Sequence, residues 1–203
     1  MSFMIEEKVE KESFGYALGS FFWELLKAFI LAIVIIVPIR YFVVQPFFVR
    51  GASMEPNFHD GEYLVIDQLS YRFREPKRGE VIVFRYPQDH SQFFIKRVIG
   101  LPGEDIRIVD GHVMIQSSAF PAGVEIEESA YLASEVRTGG QTDMHLGDGE
   151  YFILGDNRPA SSDSRTWGTV SRDEIIGRAW IRAWPLNRIL LFYPPSPRFL
   201  SAA

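Results

Sequence analysis

The residues from Phe21 to Ile39 form one apolar stretch in which Glu24 and Lys27 are the only charged side chains, and the inner part, Ala28-Phe29-Ile30-Leu31-Ala32-Ile33-Val34-Ile35-Ile36-Val37, is apolar throughout. As a helix this stretch would be roughly 28 Å long at ~1.5 Å per residue, close to the ~30 Å thickness of bilayer hydrocarbon. Glu24 and Lys27 fall one turn apart near its start, where they can pair or reach the interface. A cleaved export leader is disfavoured, because Pro38-Ile39-Arg40-Tyr41-Phe42 follows in place of a small-residue cleavage site. A buried core helix is the second alternative. The length favours a retained transmembrane anchor over 21–39, with a tail over 1–20. Lys8, Lys11 and Lys27 on one side face Arg40 and Arg50 on the other, so charge leaves the orientation open.

The 203 residues suffice for an anchor and one domain with its own core. A net charge of -5 without a basic stripe argues against nucleic acid as a partner. The absence of cysteine removes thiol catalysis, disulfides and thiolate metal sites. The four histidines, His59, His90, His112 and His145, show neither metal-ligand spacing nor framing carboxylates, and read as surface residues; no metal or cofactor is expected.

After Tyr41 the pattern becomes extended. Short runs rich in β-branched and aromatic residues recur: Tyr63–Ile66, Val81–Phe84, Phe93–Ile95, Ile106–Val109, Val113–Ile115, Tyr151–Leu154 and Ala179–Trp184. Gly, Pro, Asp and Asn punctuate them, and Asp110-Gly111 is a two-residue hairpin signal. These features predict a mainly β fold of packed antiparallel sheets over 40–203, with 116–149 as a loop or small elaboration. Leu190–Pro195 is apolar and either meets a bilayer or closes the core.

Three segments can carry chemistry. Ser53 lies in Gly51-Ala52-Ser53-Met54-Glu55-Pro56, where a glycine and a proline shape a turn able to present a hydroxyl beside backbone N–H donors. Lys96 lies in Phe93-Phe94-Ile95-Lys96-Arg97-Val98-Ile99, and strand alternation puts it on one face with Phe94 and Val98 and Arg97 on the other. If its face is covered, burial lowers the amine pKa and makes it a base. The block Gly155–Arg165 is dense in short polar side chains: Ser161 or Ser164 can hold an amine, and Asp163 and Arg165 can pair.

Taken together, Ser53-Met54-Glu55-Pro56, Arg78–Phe84, Lys96–Glu104 and Gly155–Arg165 resemble the bacterial type I signal peptidases, membrane-bound Ser-Lys proteases. The resemblance implies Ser53 as nucleophile, Lys96 as general base, Ser161 as the serine that positions the amine, and Asp163 and Arg165 as a supporting pair with Ser164 between them. It also implies that Phe47, Val49, Met54 and Ile95 line clefts selecting small residues before the cut, as in an Ala-X-Ala site. Its partners would be the signal peptides of secretory preproteins and the lipid bilayer. By the same resemblance the catalytic domain stands on the extracytoplasmic side of the cell membrane, held by one span. Gly51 departs from relatives with an oxyanion-binding serine there; Asn57, Glu80, Glu104, Pro159 and Ala160 are further departures. Lysine at 96, rather than histidine, separates the chain from the archaeal and endoplasmic-reticulum type.

Overall fold

Val81–Tyr86 begins with four consecutive apolar residues, the pattern of a strand covered on both faces. A computed structural model of the chain, describing residues 19–37, 44–193 and 198–200, places it so. Val81 and Val83 join one buried cluster with Leu64, Ile66 and Met54, while Ile82 and Phe84 join another with Val98, Tyr151 and Ile153. The chain divides into two units, Met1–Val43 and Val44–Ala203.

In the first unit, helix α1 (Gly19–Val37) is long and apolar enough to cross a membrane, and none of its apolar window is buried. Lys27 Nζ donates to Glu24 Oε1 at 2.6 Å. The expectations for 1–18 and 38–43 lie outside the described residues.

The second unit is mainly β and antiparallel, as expected. Its strands are β1 (Val44–Phe48), β2 (Tyr63–Asp67), β3 (Val81–Tyr86), β4 (Asp89–Gly100), β5 (Asp105–Val109), β6 (His112–Ser117), β7 (Phe120–Glu127), β8 (Thr142–His145), β9 (Glu150–Leu154), β10 (Val170–Ser171), β11 (Ile175–Trp184), β12 (Leu190–Leu191) and β13 (Arg198–Leu200), with a one-turn helix α2 (Ser164–Trp167). The larger sheet runs β1-β2-β11-β3-β4-β9-β10, with β12 also on β11; the smaller runs β13-β7-β6-β5-β8. Asp110-Gly111 forms the tight turn between β5 and β6, both residues at positive φ (52° and 84°), and Val109 pairs with His112.

The stretch 116–149 is more than a loop: β7 and β8 lie in it and complete the smaller sheet. The Pro and Gly of Phe120-Pro121-Ala122-Gly123 hide β7, and in β8 no residue is buried. The apolar tail divides its work. Leu190 and Leu191 are exposed, while the Phe192 ring stacks on buried Phe58 at 4.5 Å and packs against the core.

Candidate active site

The nucleophile turn is held from three directions. Gly51 takes φ +85°, and its N–H donates to Asp60 Oδ1 at 2.7 Å. Met54 plants its side chain in the core, its Sδ accepting from Asp156 N, and Phe58 N closes the following turn on Met54 O at 2.9 Å. Asn157 then fastens the turn from outside: its N–H donates to Ser53 O and its Nδ2 to Ala52 O, both at 3.0 Å. Among the described residues no hydrogen bond uses the Ser53 N–H.

β4 delivers Lys96 to this turn. Cross-strand pairing of Ile82 with Lys96 and of Phe84 with Phe94 puts the amine on an apolar face. Lys96 is only 4% exposed, and its Nζ lies 2.8 Å from Ser53 Oγ and 2.9 Å from Ile95 O. The Phe94 ring, stacked on Tyr86, lies 5.5 Å from Nζ. Burial pushes the amine down to about 8, against the opposing pull of the Asp163 and Asp156 carboxylates. A hydroxyl and an amine at this separation exchange roles with protonation: the ammonium donates to Oγ, and the neutral amine accepts the serine proton.

Arg97 points to the opposite face, as alternation requires. It grips Asp156 bidentately (2.8 and 2.6 Å), donates to Gly79 O, and lies 4.1 Å from the centre of the Tyr131 ring. Asn57 adds a bond to Asp156 Oδ2 at 2.9 Å and one to Tyr131 O at 2.8 Å.

The block after β9 closes the site. Asp163 and Arg165 form a two-pronged pair at 2.8 Å, and Asp163 also accepts from Gly155 N at 3.0 Å. Burial alone would raise the Asp163 carboxyl; the Arg165 guanidinium and the Gly155 N–H outweigh it and hold it below the usual carboxylate range. Ser164 Oγ accepts from Ile153 N at 2.9 Å, tying α2 to β9. The Ser161 hydroxyl is buried and makes no well-aligned hydrogen bond among the described residues, though it also helps hold the Asp163 carboxyl down; the Lys96 amine bonds to Ser53 and Ile95 instead. Gly155 has no room for a side chain: a Cβ there would collide with Ser161 Oγ and come within 2.5 Å of Ser53 O.

A groove of about 360 Å³ opens on Ser53 and Lys96, with Phe47, Val49, Leu64 and Ile95 among its walls. Met54 is not one of its lining residues; it lies in the core beneath the turn.

Sequence reasoning missed Asp156, Asn157 and Arg158 as individuals, although they sit in the polar block it singled out. It gave no hint of Glu128, which with Thr138 takes the buried Arg158 guanidinium; Glu128 Oε2 accepts from Arg158 Nη1 at 2.9 Å. The histidines need correction. They are surface residues, but each lies beside a carboxylate: His59 and Glu55 at 3.5 Å, His90 and Glu174 at 3.2 Å, His112 and Glu125 at 2.5 Å, His145 and Asp105 at 2.8 Å. Three of these pairs join different strands or segments, so sequence spacing conceals them.

Residues 22–184 match the family model described as "Signal peptidase, peptidase S26". A Synechocystis sp. protein named "Probable signal peptidase I-2" is 35% identical over 181 residues, covering 86% of this chain and 79% of its own. The signal peptidase I of Leptolyngbya laminosa is 37% identical over 177 residues, covering 84% and 83%. A crystal structure of a signal peptidase I from Enterococcus faecalis V583 aligns at 28% identity and a TM-score of 0.42, covering 52% of this chain and 97% of its own.

Proposed function

The chain belongs to the signal peptidase family, peptidase S26, whose members are serine endopeptidases that cleave signal peptides, and from that premise we propose that it cuts preproteins with Ser53 as nucleophile and Lys96 as general base. The observation that carries this reading is the 2.8 Å separation between Lys96 Nζ and Ser53 Oγ, with the amine buried and its pKa drawn down to about 8. The neutral amine takes the hydroxyl proton as Oγ attacks the scissile carbonyl. The oxyanion forms beside the Ser53 N–H, which is not spent within the described fold. The resulting ammonium passes its proton to the departing amine of the mature protein, leaving the signal peptide as an ester on Ser53. Water then gives a proton to the same amine and attacks the ester, which releases the signal peptide acid and restores the serine.

Asp163, Ser164 and Arg165 act as supports in this proposal, and the buried Ser161 hydroxyl is the group nearest in kind to a further partner for the amine. Bulky walls at Phe47, Val49 and Ile95 favour small residues of the Ala-X-Ala type, since a larger side chain would overpack the groove. We further propose that 21–39 spans the cell membrane once, that 1–20 is cytoplasmic and that 40–203 works on the extracytoplasmic side. Holding enzyme and preprotein on one bilayer raises their effective concentration, so weak intrinsic affinity suffices.

The test is cleavage of a purified preprotein by the full chain in detergent. Ser53→Ala and Lys96→Ala should each lower kcat/KM by at least about 10³-fold with circular dichroism unchanged. Wild-type rates in either variant would reject the pair.

A further inference from the structure

A second cavity of about 370 Å³ lies between the start of β3 and the middle of β11, and it shares no lining residue with the Ser53 groove. Phe58, Phe192 and Tyr193 contribute aromatic surface, and Arg178, Arg182 and Arg188 contribute charge. The charges do not balance. Arg178 has Asp67 at 3.0 Å, and Arg97, at the edge, has Asp156 at 2.6 Å. The lining carboxylate Glu80 is taken by Arg74 at 2.6 Å. Arg182 and Arg188 share one carboxylate, Glu62, at 2.7 and 3.0 Å, which leaves one guanidinium in excess.

The shared carboxylate is deep: Glu62 is 2% exposed, and each of its oxygens already faces a guanidinium. Arg182 uses its Nη2 on Asn57 O, and its ring contacts are to Phe58 and Phe192. Two guanidiniums on one carboxylate leave a positive surplus, which an added anion offsets. Arg188, whose side chain is 38% exposed, can turn toward one without unpacking the core.

The rim narrows the class of ligand. Leu190 lines the cavity, and its neighbours in the same short segment, Leu186, Ile189 and Leu191, are exposed as well. A free phosphate or an acidic peptide would meet the surplus charge but leave this surface in water. An amphiphile with a single negative charge satisfies both. We propose that this cavity takes the phosphodiester of a monoanionic phospholipid at Arg182 and Arg188, with its acyl chains against Leu186–Leu191. The inference rests on the membrane-anchored reading above, because that reading supplies the lipid.

The experiment uses the full chain in neutral detergent, titrated with phosphatidylglycerol or with phosphatidylcholine of the same acyl chains, and bound lipid is counted by native mass spectrometry. Phosphatidylglycerol should bind about fivefold tighter, the scale of one basic side chain at an anionic surface. Arg188→Gln should erase the preference while Arg107→Gln, on the smaller sheet, and Ser53→Ala should both keep it. Equal binding of the two lipids, or full preference in Arg188→Gln, overturns the proposal; so does competition by inorganic phosphate at the lipid's own concentration. The anchor is scored separately, by resistance of the membrane-bound chain to alkaline extraction, and cleavage is scored by the preprotein assay. Loss of lipid preference with both of those intact falls on this inference alone.

Discussion

The two sheets solve different problems. The smaller one is built largely from neighbours in sequence, with β5, β6 and β7 following one another, and its core is aliphatic: Ile106, Ile108, Val113, Ile115 and Ile126. The larger one is threaded from distant segments, with β11 inserted between β2 and β3. It and its loops hold the buried ionic groups Lys96, Arg97, Asp156, Arg158 and Asp163. Every candidate site residue lies on the larger sheet or on a loop attached to it. Burying ions costs stability unless each is matched, and the fold concentrates that cost where chemistry is proposed while keeping the smaller sheet conventional.

Substitutions that act on one sheet and spare the other sharpen this contrast. Lys96→Met should abolish cleavage and also stabilise the protein. The unfolded lysine titrates near 10.5 and the folded one at about 8, so the unfolded state binds more protons between those values and stability rises with pH across that window. Below it the folded state carries a penalty of about 3 kcal/mol, from a shift of roughly 2.5 at 1.36 kcal/mol each. Chemical denaturation at pH 7 should therefore find Lys96→Met more stable, with the gain shrinking above pH 8; a variant less stable than wild type at pH 7 breaks the account of burial.

Gly155→Ala comes next. Pressing on Ser53 O and Ser161 Oγ displaces the nucleophile, and a misplacement of that size costs about 10²-fold in kcat/KM. A wild-type rate in this variant would mean that the loop yields more than its hydrogen bonds suggest. The pH profile follows. Below pH 8, kcat/KM should rise about tenfold per unit and level off above, as the free amine loses its proton. A profile flat from pH 6 to 10 contradicts a lysine base.

Smallest is Ile115→Val, within the aliphatic core of the smaller sheet. It should cost about 1 kcal/mol and leave the acid limb of the pH profile where it was. Movement of that limb would show that the two sheets are coupled more tightly than their different construction implies.

Much of this division is legible in the sequence. β2, β3, β6 and β9 announce themselves through apolar alternation or through continuous apolar runs, because those patterns are what one-sided or two-sided burial requires. β8 and β12 do not, since short strands without a buried residue carry no such pattern. Ser53 and Lys96 stand out through their local surroundings. The ion pairs behind them are invisible in one dimension: Arg97 meets Asp156 and Arg158 meets Glu128 only after strands distant in sequence have paired. The same reason hides the cluster of arginines around Glu62, whose members come from β11 and the turn that follows it.

One consequence of β4 concerns its alignment with its neighbours. Arg97 sits opposite Val81 on one side and Leu154 on the other, and Lys96 sits opposite Ile82. A one-residue slip would exchange the faces of the two cations and hand Ser53 a guanidinium, which keeps its proton at any pH the protein survives. Catalytic competence is thus inherited from how three strands are indexed against each other. An error in that indexing would leave a protein with the same composition, a similar outline and no base.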